Sequence, residues 1–340
     1  MKGTVKAKAF WLRYCLALAQ VLVIVAYFLP WERIYASISY AGPLELLYPS
    51  LMDGPSSGLT FYTAIALFIC FTAAIISLLL SMFAIAKKRE HTVALRASSM
   101  LNSLALAGPL LYVHWELPWP IGSADLSVLW SALDEMVIGW FIALFSGSAA
   151  CLLTLGMYHE ACKSNDGNRN SIRLSPAKSH TASLFWVSIP IIVFGCAITV
   201  AGFFLAWNSG SASSLYGQSP YSNNGFEVSP LVYLVLVIAV LSTALVILCL
   251  FVRKMSGLVI LQFAQDLLIV TLALTLFWGL VFGEYRTMTV GAVFAAKLQL
   301  GWYLCVIGQL IMLTSVILFH YFQYGAPGDR KIWRLKSNSE

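Results

Sequence analysis

Gln262, Gln265 and Asp266 stand together in "LVILQFAQDLLIVTLALTLFWGL", a stretch from Leu258 to Leu280 otherwise made of apolar residues, two threonines and a glycine. An ionised carboxylate at the centre of a bilayer costs about 2.5–3.5 kcal/mol on insertion scales, so Asp266 must face protein or a wet cavity. Two kinds of chemistry suit such a group: a polar clamp between helices, or a site that coordinates a proton or a solute. Gln262 lies one helical turn before Asp266, on the same face. Gln265 and Gln309 are the other expected donors, for a site between the seventh and eighth helices. The matching depth in the first half of the chain carries Asn102 and Ser103, both uncharged.

The histidines offer less. His91, His114, His159, His180 and His320 form no i, i+4 pair and lack the spacing of a metal site, so no metal is expected. His159 and His320 occupy matching places near the ends of the fourth and eighth helices, where a histidine complements the helix dipole. Haem or quinone binding is the alternative role for that pair. Phosphate-loop, dinucleotide, nucleophile-elbow and zinc-protease motifs are missing, so the reading is not an enzyme and no cofactor is predicted.

The elements that must position these residues follow from composition. The 340 residues are 59% hydrophobic and 11% charged, with a mean hydropathy of +0.80. Soluble domains carry about a quarter charged residues, so this chain belongs in a membrane. A span needs about 20 apolar residues. Eight such runs stand out, at 11–30, 59–86, 92–113, 136–158, 182–206, 229–252, 256–282 and 300–322. Of the 21 lysines and arginines, only Arg33, Arg286 and Lys297 fall on one side of this arrangement. The positive-inside rule then makes both termini cytoplasmic, in the plasma (inner) membrane. The net charge of +6 reflects that bias; spread over short turns, it is no nucleic-acid footprint. The tryptophans Trp31, Trp140, Trp207, Trp278 and Trp302 are expected in an interfacial aromatic belt, as are Trp115 and Trp119 beside His114 and Glu116.

The chain also resembles itself. "IGWFIALFSGSAACLLTLGMYHE" (Ile138–Glu160) overlays "LGWYLCVIGQLIMLTSVILFHYF" (Leu300–Phe322), and "YFLPW" overlays "FFLAW" (Tyr27–Trp31, Phe203–Trp207). The expected fold is therefore all-α: eight transmembrane helices in two tandem four-helix repeats of parallel orientation. The modules cover 1–160 and 181–325, with a polar cytoplasmic linker at 161–180 and a basic tail at 326–340. Each module has a long first outer loop, a basic inner turn and a second outer loop. That layout is similar in topology to tetraspan proteins of the claudin type, without their paired loop cysteines or Trp-Gly-Leu-Trp signature.

Segments 123–136 and 284–300 read as interfacial on the outer side, with amphipathic helices at 123–136 and 289–300, a platform for protein partners or lipid. The expected partners are the bilayer and other protein chains; nucleic acid is not among them. Three functions remain open: a non-catalytic membrane subunit that scaffolds a larger complex, a transporter component passing a small solute or lipid between the modules, and a quinone- or haem-handling subunit.

Overall fold

The computed structural model describes residues 2–34, 39–41, 59–86, 92–116, 133, 136–169, 180–214, 217–224, 230–251, 256–282, 286–289 and 292–324. Eight helices run through them: α1 (Lys2–Ala26), α2 (Leu59–Ala86), α3 (Thr92–Glu116), α4 (Ile138–Arg169), α5 (His180–Phe204), α6 (Pro230–Phe251), α7 (Ser256–Phe282) and α8 (Leu300–Tyr324). Four of them contain segments long and apolar enough to cross a membrane: Thr63–Ile85, Ile138–Ala161, Gly257–Gly279 and Leu300–His320. Shorter apolar segments occupy α1, α5 and α6. Large apolar side chains such as Leu18, Phe28, Leu79, Phe145, Leu152, Phe194 and Val237 are exposed. Such a surface suits lipid and is compatible with a multi-pass membrane protein.

Helix packing follows one scheme twice. α1 lies against α2 and α4, and α3 against α2 and α4; likewise α5 lies against α6 and α8, and α7 against α6 and α8. The two halves meet chiefly where α3 packs on α7, with α2 and α4 also touching α7.

In the α5–α8 contact the two backbones come close together. A methyl group on Gly195 would come within 2.9 Å of the Gly308 carbonyl, and one on Gly301 within 2.7 Å of the Gly202 carbonyl. Small residues let two backbones meet this way, and dispersion then holds helices that lipid gives no hydrophobic reason to associate.

Four tryptophans make backbone hydrogen bonds in two matching pairs. Trp31 Nε1 donates to the Ala26 carbonyl at 2.7 Å, and Trp207 Nε1 to the Gly202 carbonyl at 3.0 Å. Trp140 Nε1 reaches the Pro109 carbonyl and Trp302 Nε1 the Thr275 carbonyl, both at 2.8 Å. Backbone bonds repeat the parallel: Val137 N–H to the Trp31 carbonyl (2.9 Å), and Gln299 N–H to the Trp207 carbonyl (2.8 Å). Pro109 lies inside α3 and cannot donate to the Ala105 carbonyl one turn back. The Tyr27 hydroxyl donates to that carbonyl instead, at 3.3 Å.

These contacts turn the expected belt tryptophans into the bundle. Trp31, Trp140, Trp207 and Trp278 are buried, and Trp302 is partly so. An indole carries both a large apolar body and a donor, and backbone carbonyls supply the acceptor that burial demands. Trp115 and Trp119 lie outside the residues whose side chains are described.

The fold is mainly helical, as expected, and strands accompany the helices. Strands β1 (Glu32–Ile34) and β2 (Ser39–Ala41) pair antiparallel. In the second half β3 (Ala206–Ser214), β4 (Gly217–Asn224), β5 (Arg286–Thr289) and β6 (Ala292–Leu298) form an antiparallel sheet in the order β4-β3-β6-β5. Most of segment 284–300 is thus strand, not amphipathic helix. Its Thr287, Thr289 and Val293 suit a pleated surface, and β6 pairs along β3 from Asn208↔Leu298 to Ser214↔Ala292. That partner lies some 80 residues away in the chain, beyond the reach of a local periodicity. Of segment 123–136, only Leu133 and Met136 fall within the described residues.

Helix α4 continues to Arg169, through half of the expected linker. The end of an apolar run marks where lipid contact can stop, and a helix can continue into water beyond it.

Candidate functional site

The polar residues of α7 meet α3 across the seam between the two halves. Ser99 Oγ donates to Asp266 Oδ2 at 2.5 Å, and Gln262 Nε2 donates to Asp266 Oδ1 at 2.8 Å. The other end of the Gln262 amide, Oε1, accepts from Arg96 Nε at 3.2 Å. Gln262 therefore bridges a guanidinium to a carboxylate, with one amide polarised by both. Arg96 also reaches Gln265 Oε1 at 3.5 Å, and Gln265 Nε2 is buried with no hydrogen-bond partner. Ser103, one turn beyond Ser99, bonds the Ser99 carbonyl and lies 3.7 Å from Cys151 of α4.

Periodicity explains the convergence. Arg96, Ser99 and Ser103 follow an i, i+3, i+7 spacing and so share one face of α3, while Gln262, Gln265 and Asp266 share the facing side of α7. Asp266 is 4% exposed, and Gln262 and Gln265 are fully buried. An oxygen pair at 2.5 Å is at the short end for a hydroxyl meeting a carboxylate, as expected of a charge-assisted bond.

Further along the seam, the Tyr158 hydroxyl of α4 and His320 Nε2 of α8 share a hydrogen bond of 3.0 Å, both side chains being buried. Arg96 acts through space on both Asp266 and His320. The group therefore draws on α3, α4, α7 and α8.

The expected site residues are distributed unevenly. Asp266, Gln262 and Gln265 are brought together, but against α3 and not in the place expected between α7 and α8. Gln309 is elsewhere: its Nε2 donates to Thr275 Oγ1 at 2.9 Å, about 13 Å along α7 from Asp266 by helical rise. Asn102 belongs to a separate network inside the first half. There Gln20 Nε2 meets Ser77 Oγ and Ser81 Oγ at 2.9 Å, and Asn102 Oδ1 accepts from Ser77 Oγ at 2.6 Å. Asn102 Nδ2 in turn donates to Thr154 Oγ1 at 2.8 Å.

His159 and His320 do not act as a matched pair. The ring meeting His320 belongs to Tyr158, while His159, one residue on, is half-buried on another face of α4. No group of three or more His, Cys, Asp or Glu residues suited to a metal ion occurs among the described residues.

Arg96, Ser99 and Tyr158 were not expected at the site. Arg96 counted as one more basic residue near an inner turn. The readable sign was its spacing from Ser99 and Ser103, which puts all three on one helix face.

The chain matches no family model, and no curated protein or solved structure compared with it is significantly similar.

Proposed function

We propose that this chain is a non-catalytic multi-pass membrane subunit that scaffolds a larger membrane complex. It consists of two tandem four-helix modules in parallel orientation, eight spans in all, with both termini on the basic, cytoplasmic side of the plasma (inner) membrane. The duplication is supported by the doubled helix packing and by the paired tryptophan bonds. A further support lies at the seam. Arg96 stands to Pro109 as Gln262 stands to Thr275, and Tyr158 to Trp140 as His320 to Trp302. Each of these counterparts touches its own equivalent, as happens beside the axis of a two-fold interface.

One observation carries the scaffold reading: the mid-helix acid is engaged in joining the modules, with Ser99 of the first and Gln262 of the second bonded to its two oxygens. A buried group occupied in this way serves cohesion. The sheet at the end of the second module, with β4 and β5 as its outer strands, offers backbone edges suited to a partner chain. Purification in mild detergent should bring down partner chains in fixed stoichiometry, and a bare monomer would overturn the reading.

A transport role is the second reading, favoured by the position of Asp266 between two modules and by the unpartnered Gln265 Nε2. It requires that Asp266→Asn abolish solute flux in proteoliposomes while the protein remains folded.

A further inference from the structure

Among the described residues, Asp266 and His320 are the buried acidic and basic side chains, and Arg96 is half-buried beside them. The other elements packed on α7 add little. Neither α2 nor α6 contains a charged residue. The Cys249 thiol of α6 bonds the Gly257 carbonyl, Tyr233 of α6 is exposed, and Cys70 of α2 is buried in the core of the first half. α4 presents Cys151 and Tyr158; β6 brings Lys297, which is exposed. Arg96 is thus the cation that faces Asp266, and it does so through the Gln262 amide.

The hydrogen-bond pattern can take two forms without a heavy atom moving. With Asp266 ionised, Ser99 and Gln262 both donate to it, and the negative charge is relayed through Gln262 to Arg96. With a proton on Oδ2, the carboxyl donates to Ser99 Oγ, because a hydroxyl accepts as readily as it donates. Ser99 then turns its own hydrogen away from α7, and Arg96 loses the anion that Gln262 presents to it.

We propose that Asp266 is an exchangeable proton-binding site, reached from the end of the seam where Arg96 and the Tyr158–His320 pair lie. Binding reverses the Ser99 bond and removes the charge that Gln262 relays to Arg96. A proton from water adds to a carboxylate oxygen, and no redox partner is involved. The proposal goes beyond the scaffold reading and fails separately from it. Losing the proton site leaves any partners in place, and losing the partners leaves the proton site.

The test is infrared difference spectroscopy of the full-length protein in lipid nanodiscs, between acidic and neutral buffer. A carboxylic-acid carbonyl band should grow on acidification, be absent from Asp266→Asn, and change frequency in Ser99→Ala. In Arg96→Gln the band should persist to higher pH, because the lost cation no longer favours the carboxylate. Superimposable spectra of the wild type and Asp266→Asn would overturn the proposal. If Asp266→Asn does not fold, Ser99→Ala decides, and a pH-sensitive band with unchanged frequency would then overturn it.

Discussion

The two halves place opposite chemistry at corresponding core positions. Gln20 stands to Trp31 as Cys196 stands to Trp207; Ser98 and Asn102 stand to Pro109 as Ala264 and Leu268 stand to Thr275; Thr154 stands to Trp140 as Val316 stands to Trp302. The first set, with Ser77 and Ser81, forms one buried hydrogen-bonded network. The second set packs into an apolar cluster with Ile192, Leu261, Met312 and Phe319. The tryptophan bonds are nonetheless the same in both halves.

The two halves thus share those tryptophan contacts while the polarity of the core between them differs. Lipid tails are as apolar as leucine, so neither core is driven together by water. A hydrogen bond between membrane helices averages about 0.6 kcal/mol, and close backbone packing is the other source of cohesion. The first half uses hydrogen bonds from Gln20 and Asn102. The second uses the approach of Gly195 and Gly202 to Gly308 and Gly301.

Exchanging the two solutions should expose this difference. The largest effect is expected for Leu268→Asn, which opens space in the apolar cluster and buries an amide with no partner. A loss of about 3 kcal/mol or more should appear in detergent-titrated unfolding. A negligible loss would show that the second core tolerates polarity as the first does. Next comes Asn102→Leu, which strands Ser77 and Thr154 without their amide partner. A loss of about 1–2 kcal/mol is expected by the same assay. The smallest effects belong to Trp140→Phe and Trp302→Phe, each removing one indole bond for about 1 kcal/mol. Their value lies in the comparison, because the two losses should be equal. A large inequality would mean that the two contacts are not equivalent.

Much of this was legible in the residues. The Gly-Trp pairs at Gly139–Trp140 and Gly301–Trp302 marked the internal likeness, and the structure gives both glycines the same task. A side chain on Gly139 would strike the Pro30 carbonyl, and one on Gly301 would come within 2.6 Å of the Ala206 carbonyl. Asp266 and Gln262 were legible because an acid in an apolar helix has to find a donor. Other features were not. The strands β3 and β4 read as Ser-, Gly- and Asn-rich loop, with no alternation to betray them, because their pairing is carried by backbone groups. Gln309 was expected at Asp266 because both lie within helices, yet depth in a helix fixes neither rotation nor neighbour.

From its sequence alone, this chain had to be a bundle of apolar helices, because so few charged residues cannot cover so much apolar surface with water-soluble groups. Only the tertiary structure decided which helix faces Asp266. The face that α3 turns toward α7 depends on how eight helices pack together, and that packing brought Ser99 and Arg96 to the carboxylate while leaving Gln309 with Thr275.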